Sequence, residues 1–147
     1  MRLFLDTSVL LAASGSANGA SREVFRLAAK NTWTLVVSPY VLREVQTNLS
    51  KFPPQATQDW NQLHGELRAM PDVFTVDRLA VFAPVKDRPV LFSALAWADV
   101  LLTLDRGDFA TLLGNEFYGL QILTPGRFLL RERASGRLTG DRSHPAE

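Results

Sequence analysis

Apolar positions along the chain fall into short unbroken runs that alternate with segments of helical period. Residues 2–5 read as a buried strand, and 7–13 as a helix starting directly after it. The small polar stretch "SGSANGAS" (14–21) is a loop, with Ser21 expected to cap the next helix. Over 21–30, Val24, Leu27 and Ala28 stand at i, i+3 and i+4, one helical face. "WTLVVS" (33–38) has the β-branched content of a strand. Ser38-Pro39 opens a helix that runs to about residue 50. After Pro53-Pro54, Trp60, Leu63 and Leu67 share a face of a helix reaching to about residue 70. "DVFTV" (72–76) reads as a short strand, 77–86 as a connection, and "DRPVLFSALAWA" (87–98) as a helix buried on most sides. Residues 100–104 form a strand, 109–113 a short helix, 120–123 the last strand and 125–133 the last helix.

Short apolar strands alternating with helices imply a parallel sheet covered on both faces, a three-layer α/β/α domain over residues 1–133. The polar end, 134–147, is expected to be a flexible tail. A length of 147 residues suits one domain. Net charge is +1, which argues neither for nor against nucleic acid. The chain has no cysteine, which excludes a disulfide scaffold, Cys-ligated zinc and a thiol nucleophile, and fits a reducing cytoplasm. The apolar start "MRLFLDTSVLLAA" is interrupted by Asp6 and too short for a signal peptide or a membrane span, so no membrane association is expected.

In such folds ligands gather at the carboxyl ends of the strands. Asp6 follows the first strand and Asp105 follows the strand 100–104. Asp87 stands at the start of helix 88–97, whose N-terminus should face the same rim. Glu44 borders the apolar arc made by Val41, Leu42, Val45 and Leu49. Each acid alone has a plainer use. Asp6 and Asp87 suit helix N-caps, Glu44 a solvated helix face, and Asp108 the cap of the short helix after it. Gathered at one rim, however, they raise each other's pKa unless a cation neutralises them. An all-oxygen donor set with no Cys and no clustered His selects a hard ion, Mg²⁺ or Mn²⁺.

Four stretches, "LDTSVLLAA" (5–13), "SPYVLREV" (38–45), "KDRPVLFSALAWADVLLTLDRGDF" (86–109) and "LQILTPGRFL" (120–129), carry a family resemblance. Over about residues 1–130 the chain resembles the PIN domain, and within it the toxin-like ribonucleases of VapC type. The resemblance implies that Asp6, Glu44, Asp87 and Asp105 are the catalytic, metal-binding quartet. It implies supporting roles for the Ser8 and Thr103 hydroxyls, and for Asp99 a structural one. The implied reaction is Mg²⁺- or Mn²⁺-dependent hydrolysis of RNA phosphodiester bonds. Cationic contacts to the phosphates are then expected from Arg43, Lys86, Arg88 and Arg106, each beside a proposed acid. An antitoxin protein and a homodimer are the expected partners, with the helical hairpin from 39–70 as the natural surface.

Two features depart from the pattern. "TLDRGDF" is longer than the usual T-x-D-x-D-F, which leaves Asp108 between a supporting acid and a helix cap. Residues 72–86 match nothing in the family. Two rival readings stand beside this one. A HAD-type phosphatase also places an Asp after its first strand, although Ser8 occupies the position of that family's second acid. A catalytically silent PIN-like binding module would keep the fold without the chemistry.

Overall fold

The computed structural model describes residues 1–74, 88–107, 109 and 112–140. In chain order the elements are β1 (Arg2–Leu5), α1 (Thr7–Gly15), α2 (Ala20–Ala28), β2 (Thr34–Val37), α3 (Pro39–Asn48), α4 (Pro54–Leu63), β3 (Arg68–Ala69), α5 (Arg88–Trp97), β4 (Val100–Leu102), β5 (Glu116–Phe117), β6 (Leu120–Leu123) and α6 (Pro125–Ala134). They form one sheet in the order β3-β2-β1-β4-β6-β5. All neighbours are parallel except β5, which runs antiparallel to β6 at the edge.

The strands read as continuous apolar runs because both of their faces are covered. Leu3, Phe4 and Leu5 are all fully buried, as are Leu101 and Leu102. α5 lies against β1, β4 and α3, while α1, α2 and α6 pack on one another. This is the expected three-layer α/β/α arrangement, with β1 and β4 as its central pair. Register places Leu5 opposite Leu102, so the chain leaves both strands at the same level of the same rim.

Four local expectations change. The helix after Pro53-Pro54 stops at Leu63, and a 3₁₀ turn over His64–Glu66 follows it. The neighbouring strand is at Arg68–Ala69 rather than 72–76. There Arg68 and Ala69 pair with Val36 and Val37, and Met70 N–H donates to the Val37 carbonyl at 2.8 Å. The exposed backbone edge of β2 thus overrides the helical spacing that Leu67 continued. Residues 72–74 form no strand. Asp72 instead accepts from Tyr40 N–H at 3.1 Å, and Val73 N–H donates to the Ser93 hydroxyl at 2.9 Å. Residues 75 and 76 lie outside the described residues.

Gly19, not Ser21, caps α2, and Ser21 is buried in its first turn. Around 109–113 the described residues make turns, with Leu112 and Leu113 N–H both donating to the Phe109 carbonyl. β5 had no expected counterpart. It joins β6 through Tyr118 and Gly119, at φ 49° and 87°. Two consecutive positive φ values are those of a type I′ hairpin turn.

The polar segment after α6 is held down at least as far as Gly140. Asn31 on the α2 side exchanges two hydrogen bonds with the Thr139 backbone, and Arg26 donates to the Gly140 carbonyl at 3.0 Å. Leu138 packs against the core. No described helix is long and apolar enough to cross a membrane.

Candidate active site

Asp6 is the first residue past β1, and it is only 6% exposed. Its N–H donates to the Leu102 carbonyl at 3.0 Å, which ties it to β4. It is also the N-cap of α1, with Oδ1 accepting from Thr7 N–H at 2.8 Å. The capping reading and the site reading of Asp6 are therefore both true of one side chain.

Its other oxygen, Oδ2, accepts from the Ser8 hydroxyl at 3.0 Å and the Thr103 hydroxyl at 2.7 Å. Each hydroxyl then accepts a backbone N–H from the chain leaving β4. Leu104 donates to Ser8 Oγ and Asp105 to Thr103 Oγ1, both at 3.0 Å. Two hydroxyls thus pin the exit of β4 to the start of α1. Asp105 is half-buried, and its Oδ1 accepts from Gly107 N–H at 3.1 Å, closing an Asx turn.

Glu44 reaches the same rim from α3. It is half-buried, and its Oε1 accepts from the Thr7 hydroxyl at 3.0 Å. Thr7 therefore bridges Asp6 and Glu44 by giving its N–H to one and its O–H to the other. Burial pushes the Asp6 carboxyl above the usual carboxylate range. The Thr103, Ser8 and Thr7 donors pull it back down, and the Glu44 charge pushes it further up.

Three of the expected carboxylates, Asp6, Glu44 and Asp105, are thus joined in one hydrogen-bonded cluster drawn from distant segments. Ser8 and Thr103 stand where they were expected. Asp87, Asp108 and Lys86 lie outside the described residues. Arg43 on α3 and Arg106 after Asp105 are exposed, and Arg88 is the half-buried first residue of α5. Asp99 is at the opposite end of the sheet, accepting from Arg2 N–H at 2.8 Å, in keeping with a structural role.

Two residues escaped the sequence reading. Thr7 left a signal, a hydroxyl directly after the capping Asp in "LDTS". Ser38 left none. It is fully buried at the end of β2, one strand over from Asp6 when the register Phe4↔Val36 is continued, and its hydroxyl has no partner among the described residues.

The donors at this rim are all oxygen, which suits a hard divalent cation. A cation would also offset the cost of ionising the buried Asp6. Among the described residues, no three His, Cys, Asp or Glu side chains gather closely enough to hold a metal. Each of the three carboxylates instead accepts an N–H or O–H from the protein.

The fold is shared with solved structures. VapBC2 from Rickettsia felis, bound to a DNA fragment from their promoter, aligns with a TM-score of 0.57 at 19% identity, over 83% of this chain and 97% of that one. PAE2754 from Pyrobaculum aerophilum aligns with a TM-score of 0.63 at 16% identity, over 91% of this chain and 90% of that one. No curated protein matches the chain significantly. The family model of the PIN domain matches residues 2–107, the span that contains β1, α3, β4 and the whole carboxylate cluster, and the chain belongs to the PIN domain family.

Proposed function

We propose that this protein is a Mg²⁺- or Mn²⁺-dependent endoribonuclease that hydrolyses RNA phosphodiester bonds as the toxin of a type II toxin–antitoxin pair. The observation that carries this reading is the buried Asp6 carboxylate, held by the Ser8 and Thr103 hydroxyls within one hydrogen-bonded cluster with Glu44 and Asp105. Asp6, Glu44, Asp105 and Asp87 would hold the metal. When bound, the ion supplies an activated water and offsets the charge developing on the phosphate.

The chain's own residues do the positioning. Ser8 and Thr103 fix the rotamer of Asp6, and Thr7 fixes Glu44 relative to it. Rigid placement of charge before the reaction is the main electrostatic source of catalysis. Arg43, Lys86, Arg88 and Arg106 would contact backbone phosphates. The HAD-type phosphatase alternative falls with the family assignment. The fold shared with VapBC2 motivates an antitoxin partner, and the α3–α4 hairpin is the surface we assign to it or to a second copy of this chain.

The test is cleavage of an RNA substrate by purified protein with Mg²⁺ or Mn²⁺, set against EDTA and against Asp6→Asn. Cleavage should require the metal and disappear in Asp6→Asn. Unchanged cleavage by the variant overturns the mechanism, and RNA binding with no cleavage under any metal favours the silent binding module.

A further inference from the structure

Beside the carboxylate cluster the rim carries a second feature that the family's acids do not explain. Arg106, Leu113, Gly114, Leu123, Thr124 and Arg127 line a cleft of about 180 Å³. That is below the ~300–1,000 Å³ of small-molecule sites, so it suits one charged group rather than a whole nucleoside-sized ligand. Its floor is apolar, from Leu113 and the buried Leu123. Two guanidinium-bearing side chains flank it, and neither Arg106 nor Arg127 has an ion-pair partner among the described residues.

Both arginines grow from rigid roots. Arg106 sits within the Asx turn between Asp105 and Gly107, and that turn hangs on Thr103. Arg127 is in the first turn of α6, where its N–H donates to the Thr124 capping hydroxyl at 3.2 Å. The two roots are neighbours because β4 pairs with β6, with Leu102 opposite Leu123 and Thr103 N–H donating to the Leu123 carbonyl at 3.0 Å. The same hydroxyl, Thr103 Oγ1, that holds Asp6 therefore also anchors one wall of the cleft. Two converging arginines over a shallow floor match a tetrahedral oxyanion, which a guanidinium binds in a forked geometry.

We infer that this cleft is a phosphate subsite, in which Arg106 and Arg127 hold a backbone phosphodiester of the RNA strand next to the one being cut. This deepens the nuclease reading and rests on it. Arg127 is the new residue. It lies beyond the span matched by the family model, and its role is to position substrate.

The experiment reads binding apart from cleavage. A fluorescein-labelled single-stranded RNA oligonucleotide is titrated in EDTA with the full-length protein, its Arg127→Gln and Arg127→Lys variants and an Arg43→Gln control, at several salt concentrations. Arg127→Gln should weaken binding several-fold and flatten the slope of log K against log salt by close to one phosphate contact, ~0.7 for a single strand. Arg127→Lys should restore the slope. With metal present, Arg127→Gln should raise KM while kcat stays within about twofold, since only ground-state binding is lost.

Affinity and salt slope unchanged in Arg127→Gln overturn the subsite, as does a loss no larger than that of Arg43→Gln. The two readings fail separately. Cleavage that persists in Asp6→Asn sinks the nuclease mechanism whatever Arg127 does. Wild-type cleavage with an unaffected Arg127→Gln sinks only the subsite.

Discussion

Thr103 concentrates more of the site than any acid does. It is fully buried, donates to Asp6 and accepts from Asp105 N–H, so one hydroxyl sets the position of two carboxylates. Thr103→Val keeps the volume and removes both bonds. It should cost about 1–3 kcal/mol in urea unfolding, the penalty of leaving buried groups unpaired. Under the nuclease reading it should also reduce cleavage about 10–100-fold, as loss of a group that orients a ligand does. Thr103→Ser should recover most of both.

Asp6 makes the complementary prediction. Its folded pKa lies above the model value of 3.8. The proton is thus held more tightly in the folded state than in the unfolded chain. Stability is greatest below about pH 3.8 and declines as pH rises through the folded pKa, where the buried carboxylate must ionise. Asp6→Asn cannot ionise, so in EDTA it should be more stable than wild type at pH 7, with the gap narrowing towards pH 4. A wild type more stable than Asp6→Asn at pH 7 in EDTA would contradict the burial argument.

At the scale of elements, two devices set how the pieces meet. Arg22 on α2 donates to the Ala13 carbonyl in α1 at 2.6 Å and to Asp59 on α4 at 2.7 Å, tying three helices together. The Arg22 and Gln55 hydrogen bonds hold the Asp59 carboxyl below its usual range. That contribution is present above pH 3.8 and is lost as pH falls through the lowered folded pKa. Arg22→Ala should therefore destabilise the protein at pH 7 and approach wild type in acid, read by urea midpoints at each pH.

The β5–β6 turn is the second device. Gly119 has φ 87° and open space where a Cβ would stand, so Gly119→Ala tests backbone strain alone. A cost of about 1–2 kcal/mol is expected. The hairpin was missed in the sequence because "FYGL" lacks an Asn or Asp before its glycine, and Tyr118 takes a positive φ that its side chain does not advertise.

Over the whole molecule, the chain after α6 closes back on α2, at the far end of the sequence from it. Removing residues 135–147 should lower stability, because Leu138 leaves the core and the Asn31 bonds to Thr139 are lost. Asn31→Ala should reproduce part of that loss, about 0.5–1.5 kcal/mol per bond. Circular dichroism during urea unfolding measures both, and a truncated chain as stable as the full one would show that the segment adds nothing.

The sequence by itself determined the strands and their layering. Leu3-Phe4-Leu5 and Val100-Leu101-Leu102 are apolar on consecutive positions, and only a strand covered on both faces uses such a run. It also placed Asp6 and Asp105 after those strands, since a polar residue ending a buried run must lie at a rim. Tertiary structure decided what local pattern could not express. β3 formed at Arg68–Ala69 because the open edge of β2 offered backbone partners there, and a spacing rule within one segment cannot see an edge made by another. Thr7 bridges two acids, and Arg106 meets Arg127 across a cleft, because β4 lies between β1 and β6. Strand order is fixed by packing the whole sheet at once, so residues about twenty positions apart in sequence became neighbours only when it closed.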